Sequence, residues 1–285
     1  VDDNVSVFAN TGYVEKPPIM DNVIYYDGTV ASDPINESFI SSEAGVNFSS
    51  DNFAVKVSAY NTDWKDRNLT KAVTTGQGDS GDTDVIFLKG IGQKHQGLEI
   101  EGSMKLNDMI RLDGAVSFGK WKFDGDADGL YTEYAEDAPI QTAYTYTLDG
   151  LYVGDQPQTA YVLGTTLTPM DGLRLQGIFK MYDKNYADWS PDSRELSGDA
   201  DRSQVWQAPA YNRLDLHAAY KLPKIAGYDM TLTGHLFNAL DAVYVQDAVD
   251  NSQYNGFGDK LHLAHNAEVF LGTPRYFNLG LTVNF

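Results

Sequence analysis

Cysteine is absent from this 285-residue chain, and so is any apolar run long enough for a membrane helix. Without cysteine, the chain cannot hold a disulfide framework, a cysteine-ligated zinc site or a catalytic thiol. A transmembrane helix needs about 20 consecutive apolar residues, so a helical membrane protein is excluded as well. Basic residues are scarce, 21 against 40 acidic ones, and the formal net charge of −19 makes nucleic acid a poor partner.

Catalytic motifs are missing too. The chain contains no Gly-x-Ser-x-Gly, no His-Glu-x-x-His and no phosphate-binding Gly-rich loop followed by Lys. We therefore predict a protein that is not an enzyme. The chain begins at Val1, without Met and without the basic and apolar regions of a secretion signal. We interpret it as a mature product or as part of a longer protein.

What the chain has in abundance is alternation of apolar and polar residues with a period of two, which is typical of β-strands. The last strand shows it best, because its odd-numbered positions are apolar and its even-numbered positions are polar or small. Similar segments lie at 53–60, 98–106, 110–118, 173–182 and 213–222. No helical period competes with them over comparable lengths. The pattern predicts an all-β protein.

The connections between these segments alternate between short and long. Short ones lie at 49–52, 107–108, 169–172 and 223–227, and long ones near 14–35, 71–82, 126–155, 190–206 and 248–263. The long connections hold 19 of the 40 acidic residues but only 5 of the 21 basic ones. Outer-membrane β-barrels have short periplasmic turns and long extracellular loops. We therefore predict a transmembrane antiparallel β-barrel, with about ten strands in this chain and its C-terminus in the periplasm.

Charged residues lie opposite the apolar stripes, as a hydrated barrel interior requires. A charge on the lipid face would cost about 2–4 kcal/mol at the bilayer midplane. We therefore assign the following residues to the inner face: Glu43, Lys56, Arg111, Asp113, Arg174, Lys180, Arg213, Asp215, His217 and Lys221.

Several short motifs follow one another along the whole chain. They are Asn10-Thr11-Gly12-Tyr13, Glu43-Ala44-Gly45, Ala59-Tyr60-Asn61-Thr62, Gln96-Gly97-Leu98-Glu99, Tyr182-Asp183-Lys184-Asn185-Tyr186 and Leu236-Phe237-Asn238-Ala239-Leu240-Asp241. In this order and spacing they resemble the C-terminal barrel region of TonB-dependent outer-membrane receptors. The resemblance implies that residues 1–285 form the C-terminal part of a 22-stranded barrel. The plug domain and the N-terminal strands would then lie outside this chain.

The same resemblance implies an importer of a scarce ligand of the siderophore, haem, cobalamin or glycan class. Its partners would be the plug domain and remaining strands, the TonB complex, outer-membrane lipid and lipopolysaccharide, the barrel-assembly machinery and, as a further candidate, a surface lipoprotein. The alternative is a self-contained ten-stranded outer-membrane barrel that acts as a surface protease or an adhesin. A plug-coding region upstream in the gene would favour the importer, and a signal peptide alone would favour the alternative.

The final strand also resembles the β-signal by which outer-membrane barrels are recognised for insertion. The residues that carry this likeness are Asn278, Gly280, Val283 and Phe285. Its physical basis is edge pairing, because an exposed strand can add to another sheet edge through main-chain hydrogen bonds. A last strand patterned only for lipid is the alternative interpretation.

An acidic loop resembles the first half of a calcium-binding loop. In the segment 124–129, Asp124, Asp126 and Asp128 alternate with small residues, and two of these are glycines. The twelfth position of the loop is Ala135, where a calcium loop has Glu. The pattern therefore leaves two hypotheses open, a Ca²⁺ ion bound in an extracellular loop and a solvated acidic loop.

Aromatic residues cluster in and beside the long connections. Tyr131, Tyr134, Trp206 and Tyr254 are our candidates for a ligand-binding vestibule, in which rings stack on the ligand. A second group lies near strand ends and fits a girdle at the membrane interface. It consists of Trp64, Trp121, Trp189, Tyr186, Tyr211 and Tyr244. Sequence position alone does not separate the two roles.

Overall fold

Strands and their connections make up nearly all of the structure, a computed structural model that describes residues 4–20, 23–24, 30, 34–74, 83–134, 139–191, 194, 201–224, 227–251 and 261–284. The strands are β1 (Val5–Lys16), β2 (Glu37–Ser49), β3 (Phe53–Thr74), β4 (Thr83–Lys105), β5 (Ile110–Phe123), β6 (Ala127–Tyr134), β7 (Pro139–Tyr146), β8 (Thr159–Met170), β9 (Leu173–Asp183), β10 (Asn185–Tyr186), β11 (Gln207–Ala208), β12 (Tyr211–Lys221), β13 (Asp229–Phe237), β14 (Val245–Val249), β15 (Glu268–Leu271) and β16 (Tyr276–Asn284). A short 3-10 helix lies at Ala264–Asn266. Within the described ranges, no helix has the length and apolar character needed to cross a membrane.

Ten strands form the main antiparallel sheet, in the order β1-β2-β3-β4-β5-β8-β9-β12-β13-β16. Each strand therefore pairs with the next main strand along the chain. The hairpin β6–β7 adds to the upper part of β4, and the ribbons β10–β11 and β14–β15 lie in long connections. The prediction of an all-β antiparallel sheet with about ten main strands is confirmed.

The connections sort to the two ends of the sheet as predicted. Short turns join β2 to β3, β4 to β5, β8 to β9 and β12 to β13, and the long connections lie at the opposite end. We call these the short-turn end and the long-loop end. Strands β3 and β4 contain 22 and 23 residues. Because about 9–11 residues cross a bilayer, both strands extend well past the membrane at the long-loop end.

Strand pairing sets the two faces of the main sheet. Val57 lies opposite Ile100, and Ile100 lies opposite Val116, so these side chains share one face. Apolar side chains on this face stay exposed, with Leu163 at 56% and Leu279 at 74%. A continuous exposed apolar face of this kind matches the lipid-facing band of a membrane barrel. We call it the outer face.

The inner face carries the charged residues, which pair with one another. Lys56 Nζ lies 3.7 Å from carboxylate oxygens of both Glu43 and Glu101. Lys180 Nζ lies 2.9 Å from Asp215 Oδ2, and Asp215 is only 2% exposed. The sheet thus places charged residues opposite the apolar stripes, as the sequence predicted.

The main sheet is open. Strand β1 pairs only with β2, and β16 pairs only with β13, so no described residue of β1 bonds to β16. A closed barrel of ten strands would require that pairing. The sheet therefore does not form the self-contained ten-stranded barrel considered above. Its two free edges fit the wall of a larger barrel.

The dry core lies at the long-loop end, above the sheet. Leu88 and Ile91 of β4 pack there with Leu148, Leu151 and Trp189 from the long connections. Each of these five side chains is at most 1% exposed. The long connections therefore form a packed cap.

Candidate functional site

A row of rings lines the inner face of β2 to β5. Phe39 packs on Trp64 with ring centroids 4.5 Å apart, and Trp64 contacts His95 at 6.5 Å. His95 stacks on Trp121 at 5.3 Å. Tyr60 joins the row because its hydroxyl accepts a hydrogen bond of 2.8 Å from Trp121 Nε1. All five residues, which we call the inner aromatic row, remain partly exposed and can contact a ligand.

Buried polar and small residues hold the inner aromatic row in place. The side chain of Gln158 accepts a hydrogen bond from the backbone N–H of Trp121 at 2.8 Å and donates one to its carbonyl oxygen at 3.0 Å. Gly97 leaves room for the ring of Tyr60, since a Cβ at this position would clash with that ring. The rings are therefore ordered before any ligand arrives.

The inner aromatic row lies above the apolar band of the outer face. At the same height, the outer face is polar: Gln96 donates a hydrogen bond of 2.8 Å to Asn61, and Lys94 lies 3.7 Å from Asp63. Such polar side chains belong outside the hydrocarbon region. The row therefore lines the inside of the wall between the membrane and the packed cap.

The six residues predicted to form an aromatic girdle at the membrane interface do not lie on the outer face, so that prediction is wrong. Trp64, Trp121 and Tyr211 lie on the inner face. Trp189 is 1% exposed and Tyr244 5%, so both are buried in the cap. Tyr186 is also buried. Counting in steps of two from the apolar stripe of each strand would have assigned the strand residues to the inner face.

A second aromatic stack lies on the inner face at β9 and β12. The ring of Tyr211 packs between Tyr182, at 5.1 Å, and Tyr244, at 4.4 Å. The guanidinium of Arg213 lies 5.5 Å from the ring of Tyr244 and donates a hydrogen bond of 3.1 Å to its hydroxyl. This contact joins the connection after β13 to the wall.

A buried charge cluster ties two long connections together. Arg194 is fully buried and lies 3.9 Å from Asp201 and 3.6 Å from Asp250. His262 places Nε2 2.7 Å from Asp201 Oδ2 and Nδ1 2.5 Å from Asp250 Oδ2. We call these four residues the loop charge cluster. Both ring nitrogens of His262 face carboxylates, so a protonated imidazole can donate a hydrogen bond to each.

The pKa values in the loop charge cluster follow from these contacts. Burial lowers the pKa of His262, but its hydrogen bonds to Asp250 and Asp201 outweigh burial and raise it above 6.5. Burial raises the pKa of Asp201, but hydrogen bonds from Ser203 and His262 hold it below 3.8. These contacts therefore favour the charged forms of His262 and Asp201. No short-range sequence motif marks it, because Arg194 and His262 are 68 residues apart.

The three carboxylates of the acidic loop have separate partners. Asp126 accepts two hydrogen bonds from the guanidinium of Arg202, at 3.0 and 2.7 Å. Asp124 lies 3.8 Å from Lys94, and Asp128 accepts a hydrogen bond of 3.0 Å from Thr145. Across the described part of the chain, no three His, Cys, Asp or Glu residues are grouped to hold a metal ion. Binding of Ca²⁺ by these carboxylates stays a prediction.

The four vestibule candidates are only partly described. Trp206 is half-buried, and its carbonyl oxygen accepts a hydrogen bond of 2.9 Å from the backbone N–H of Ala187. Tyr131 and Tyr134 belong to β6, but their side chains lie outside the described part of the structure. Tyr254 lies outside the described residues altogether. A vestibule built from these four residues stays a prediction.

The residues of the terminal signal lie on both faces of β16. Asn278 pairs with His235 and Gly280 with Thr233 on the inner face, while Val283 pairs with Met230 on the outer face. Phe285 lies outside the described residues. Strand β16 is an edge of the main sheet, as edge recognition requires. Its role in insertion stays a prediction.

Comparison with known proteins agrees with this architecture. Over 99% of its length the chain is similar to FpvA of P. aeruginosa bound to heterologous pyoverdines, with 15% identity, a TM-score of 0.59 and 31% of that chain covered. Over 99% of its length the chain is also similar to the copper transporter OprC, with 13% identity, a TM-score of 0.61 and 37% of that chain covered. Over 100% of its length it is similar to BauA, the ferric preacinetobactin receptor from Acinetobacter baumannii, with 19% identity, a TM-score of 0.56 and 35% of that chain covered. No curated protein matches the chain in sequence.

An open antiparallel sheet with an apolar outer face, a charged inner face and sorted connections is part of an outer-membrane β-barrel wall. The family model described as "TonB dependent receptor-like, beta-barrel" matches residues 1–239. The chain belongs to this family, and the resemblance seen in its motifs is confirmed. It spans about a third of the length of the solved receptors and transporters that it matches.

Proposed function

We propose that this chain is the C-terminal wall of a TonB-dependent importer in the bacterial outer membrane. The observation that carries the proposal is the inner aromatic row, which presents rings towards the barrel interior directly below the packed cap. In this arrangement the long connections face the exterior, and the short turns and the C-terminus face the periplasm. Family membership and the fold support the same assignment.

The ligand of such an importer would be scarce and too large for porins. Exposed aromatic rings bind planar rings by stacking, and they also bind the apolar faces of sugars. Siderophores, haem, cobalamin and glycans all offer such surfaces. The solved structures that are similar to this chain include a copper transporter and a ferric preacinetobactin receptor. Neither name decides among these ligand classes for this chain.

Transport would begin with capture of the ligand by the long connections and the inner aromatic row. Rearrangement of the plug domain, driven from the periplasm by the TonB complex, would then release the ligand inwards. The outer face would contact lipid and lipopolysaccharide, and the barrel-assembly machinery would insert the protein. A surface lipoprotein is a further partner of this proposal.

Uptake by the full-length receptor tests the proposal. Cells that express it are offered labelled ferric siderophores, haem, cobalamin and glycans, with and without a functional TonB complex. We expect one class to be imported only when TonB is present. Import that is undiminished without TonB, or no import of any class by a correctly inserted receptor, would contradict the proposal.

The inner aromatic row is tested by a matched pair of neighbours. Trp121→Ala removes an inward ring and should weaken ligand binding about two- to tenfold, since an aromatic pair contributes about 0.5–1.5 kcal/mol. Lys120→Ala changes an exposed, outward-facing residue of the same strand and should leave binding unchanged. Equal binding by both variants would remove the aromatic row from the site.

A further inference from the structure

Two histidines form a direct cross-strand pair on the inner face. His217 of β12 lies opposite His235 of β13, and both side chains are partly buried. Their Nδ1 atoms are 2.8 Å apart, and the ring centroids are 5.0 Å apart. This pair lies on different strands from the inner aromatic row, so it is independent of the proposed ligand contacts there.

The surroundings of the pair combine one packed side with polar groups. Phe237 packs against both imidazoles, with centroid distances of 5.4 Å to His217 and 6.0 Å to His235. On the flanking strands, Gln176 lies opposite His217 and Asn278 lies opposite His235. Two imidazoles are thus ordered by strand pairing and packing, with amide side chains on either side.

The spacing of the two Nδ1 atoms matches the bite of a metal chelate. Imidazole nitrogens bind first-row ions at about 2.0–2.1 Å. Two such ligands at an angle of about 90–110° are therefore about 2.8–3.4 Å apart. The observed 2.8 Å lies at the lower end of that range. In the metal-free pair the rings form an N–H···N hydrogen bond, with the two Nδ1 atoms pointing at each other. A metal ion would replace that proton if both rings turned so that their Nδ1 lone pairs converged on it.

We propose that His217 and His235 form a bidentate binding site for a late first-row transition-metal ion, with Cu²⁺ as the preferred ion. Imidazole suits Cu, Ni and Zn, and Cu²⁺ binds most tightly in this series. Within the described residues no third His, Cys, Asp or Glu completes a cluster. The remaining positions would be left to water and to the neighbouring amide side chains of Gln176 and Asn278, which lie opposite the two histidines. This site goes beyond the proposed import function and does not depend on it.

Titration of the full-length receptor in detergent with CuCl₂ tests the proposal. Calorimetry should show one site whose affinity is at least about 100-fold weaker in each of His217→Gln and His235→Gln, because a chelate needs both imidazoles and even the outer-shell partners of a metal ligand contribute about 10–100-fold. The double variant should be no weaker than either single variant. His265→Gln, which changes an exposed histidine outside the sheet, is the control and should bind as the wild type does.

Electron paramagnetic resonance separates a chelate from two independent histidines. The wild type should show coupling of Cu²⁺ to two equivalent imidazole nitrogens, and each single variant should lose that signal. Heat-modifiable migration on gels shows that a variant is folded. Folded single variants that retain wild-type affinity, or a wild type without the two-nitrogen signal, would overturn the proposal.

Discussion

At the scale of single residues, burial decides which ion pairs contribute to the stability of the cap. The guanidinium of Arg194 is fully buried between Asp201 and Asp250, whereas the side chain of Arg202 is 51% exposed beside Asp126. Removing one partner of a buried pair leaves an uncompensated charge, while an exposed pair is screened by water. Two arginines of one connection therefore offer a matched comparison.

We expect Arg194→Met to loosen the packed cap. The two carboxylates would then share His262 as their one remaining partner in the cluster, which should cost up to about 3–5 kcal/mol in the free energy of local opening. Hydrogen exchange of the full-length receptor should show faster exchange of the backbone amides of Thr147 and Asp250, which are bonded within the cap. Arg202→Met should leave these rates unchanged. Equal rates in wild type and Arg194→Met would show that the cluster does not hold the cap.

The loop charge cluster also predicts how the cap responds to pH. The raised pKa of His262 means that its stabilising contribution is complete below pH 6.5 and is lost as the pH rises through the raised value. The lowered pKa of Asp201 gives a contribution that is complete above pH 3.8 and is lost as the pH falls through the lowered value. Both contributions are complete between pH 3.8 and pH 6.5, so the cluster is most stable in that range.

We therefore expect the cap to open more readily at pH 9 than at pH 6. Limited proteolysis of the full-length receptor at both values, with a protease active at each, measures this difference. His262→Gln should remove it, because glutamine does not titrate. His265→Gln should retain it. A pH response that persists in His262→Gln would assign the effect to another group.

The role of a residue was harder to predict from the sequence than the face of the sheet on which it lies. The members of the loop charge cluster meet only because two connections fold over the sheet, and no local pattern reports that contact. The inner aromatic row was predictable in principle. Trp64 and Trp121 are out of step with the apolar positions of their strands, which places them on the inner face. Their position near strand ends instead suggested that their rings lie at the membrane interface.

At the scale of elements, period-two alternation located the main strands because each has one face towards lipid and one towards water. Strands β5, β9, β12 and β16 follow this rule over most of their length, and the polar outer-face residues at the long-loop end, such as Lys120, lie above the apolar band. The hairpin β6–β7 was missed. Its residues lie in an acidic connection and pack into the cap, so neither face of the hairpin has the uniform apolar pattern that lipid requires.

Strand β16 offers the sharpest test of the two faces. Leu279 is 74% exposed on the outer face, and its neighbour Asn278 lies on the inner face. Leu279→Arg should cost about 2–4 kcal/mol of folding free energy if it lies near the bilayer midplane, whereas Asn278→Arg should cost far less. Unfolding of the full-length receptor in lipid vesicles by urea measures both. Equal costs would contradict the assignment of faces.

We further expect the C-terminal residue to control assembly. Deletion of Phe285 should lower the amount of receptor in the outer membrane more than truncation of any long connection, because edge recognition begins at the terminal strand. Quantitative blotting of outer-membrane fractions measures this amount. Deletion of the connection between β14 and β15 is the control. Wild-type membrane levels of the Phe285 deletion would refute the signal.

At the scale of the whole molecule, the two free edges are the dominant feature. Strand β1 has 12 residues and β16 has 9, and each is paired on one side only. Unpaired backbone groups in the hydrocarbon region cost several kcal/mol each, so a membrane sheet must close. The chain aligns over 99–100% of its length with only about a third of each receptor that it matches, which agrees with a sheet that is one part of a larger wall.

Closure should therefore require the rest of the barrel. We expect residues 1–285, expressed alone with an outer-membrane targeting signal, to give no heat-modifiable, protease-resistant barrel. Co-expression with the remaining part of the receptor should restore it. Ala9→Pro with Thr11→Pro in β1 should prevent this rescue, because the N–H groups of both residues point away from β2 and proline removes these donors from a neighbouring strand. A folded monomer of the chain alone would instead mean that β1 and β16 can close a ten-stranded barrel.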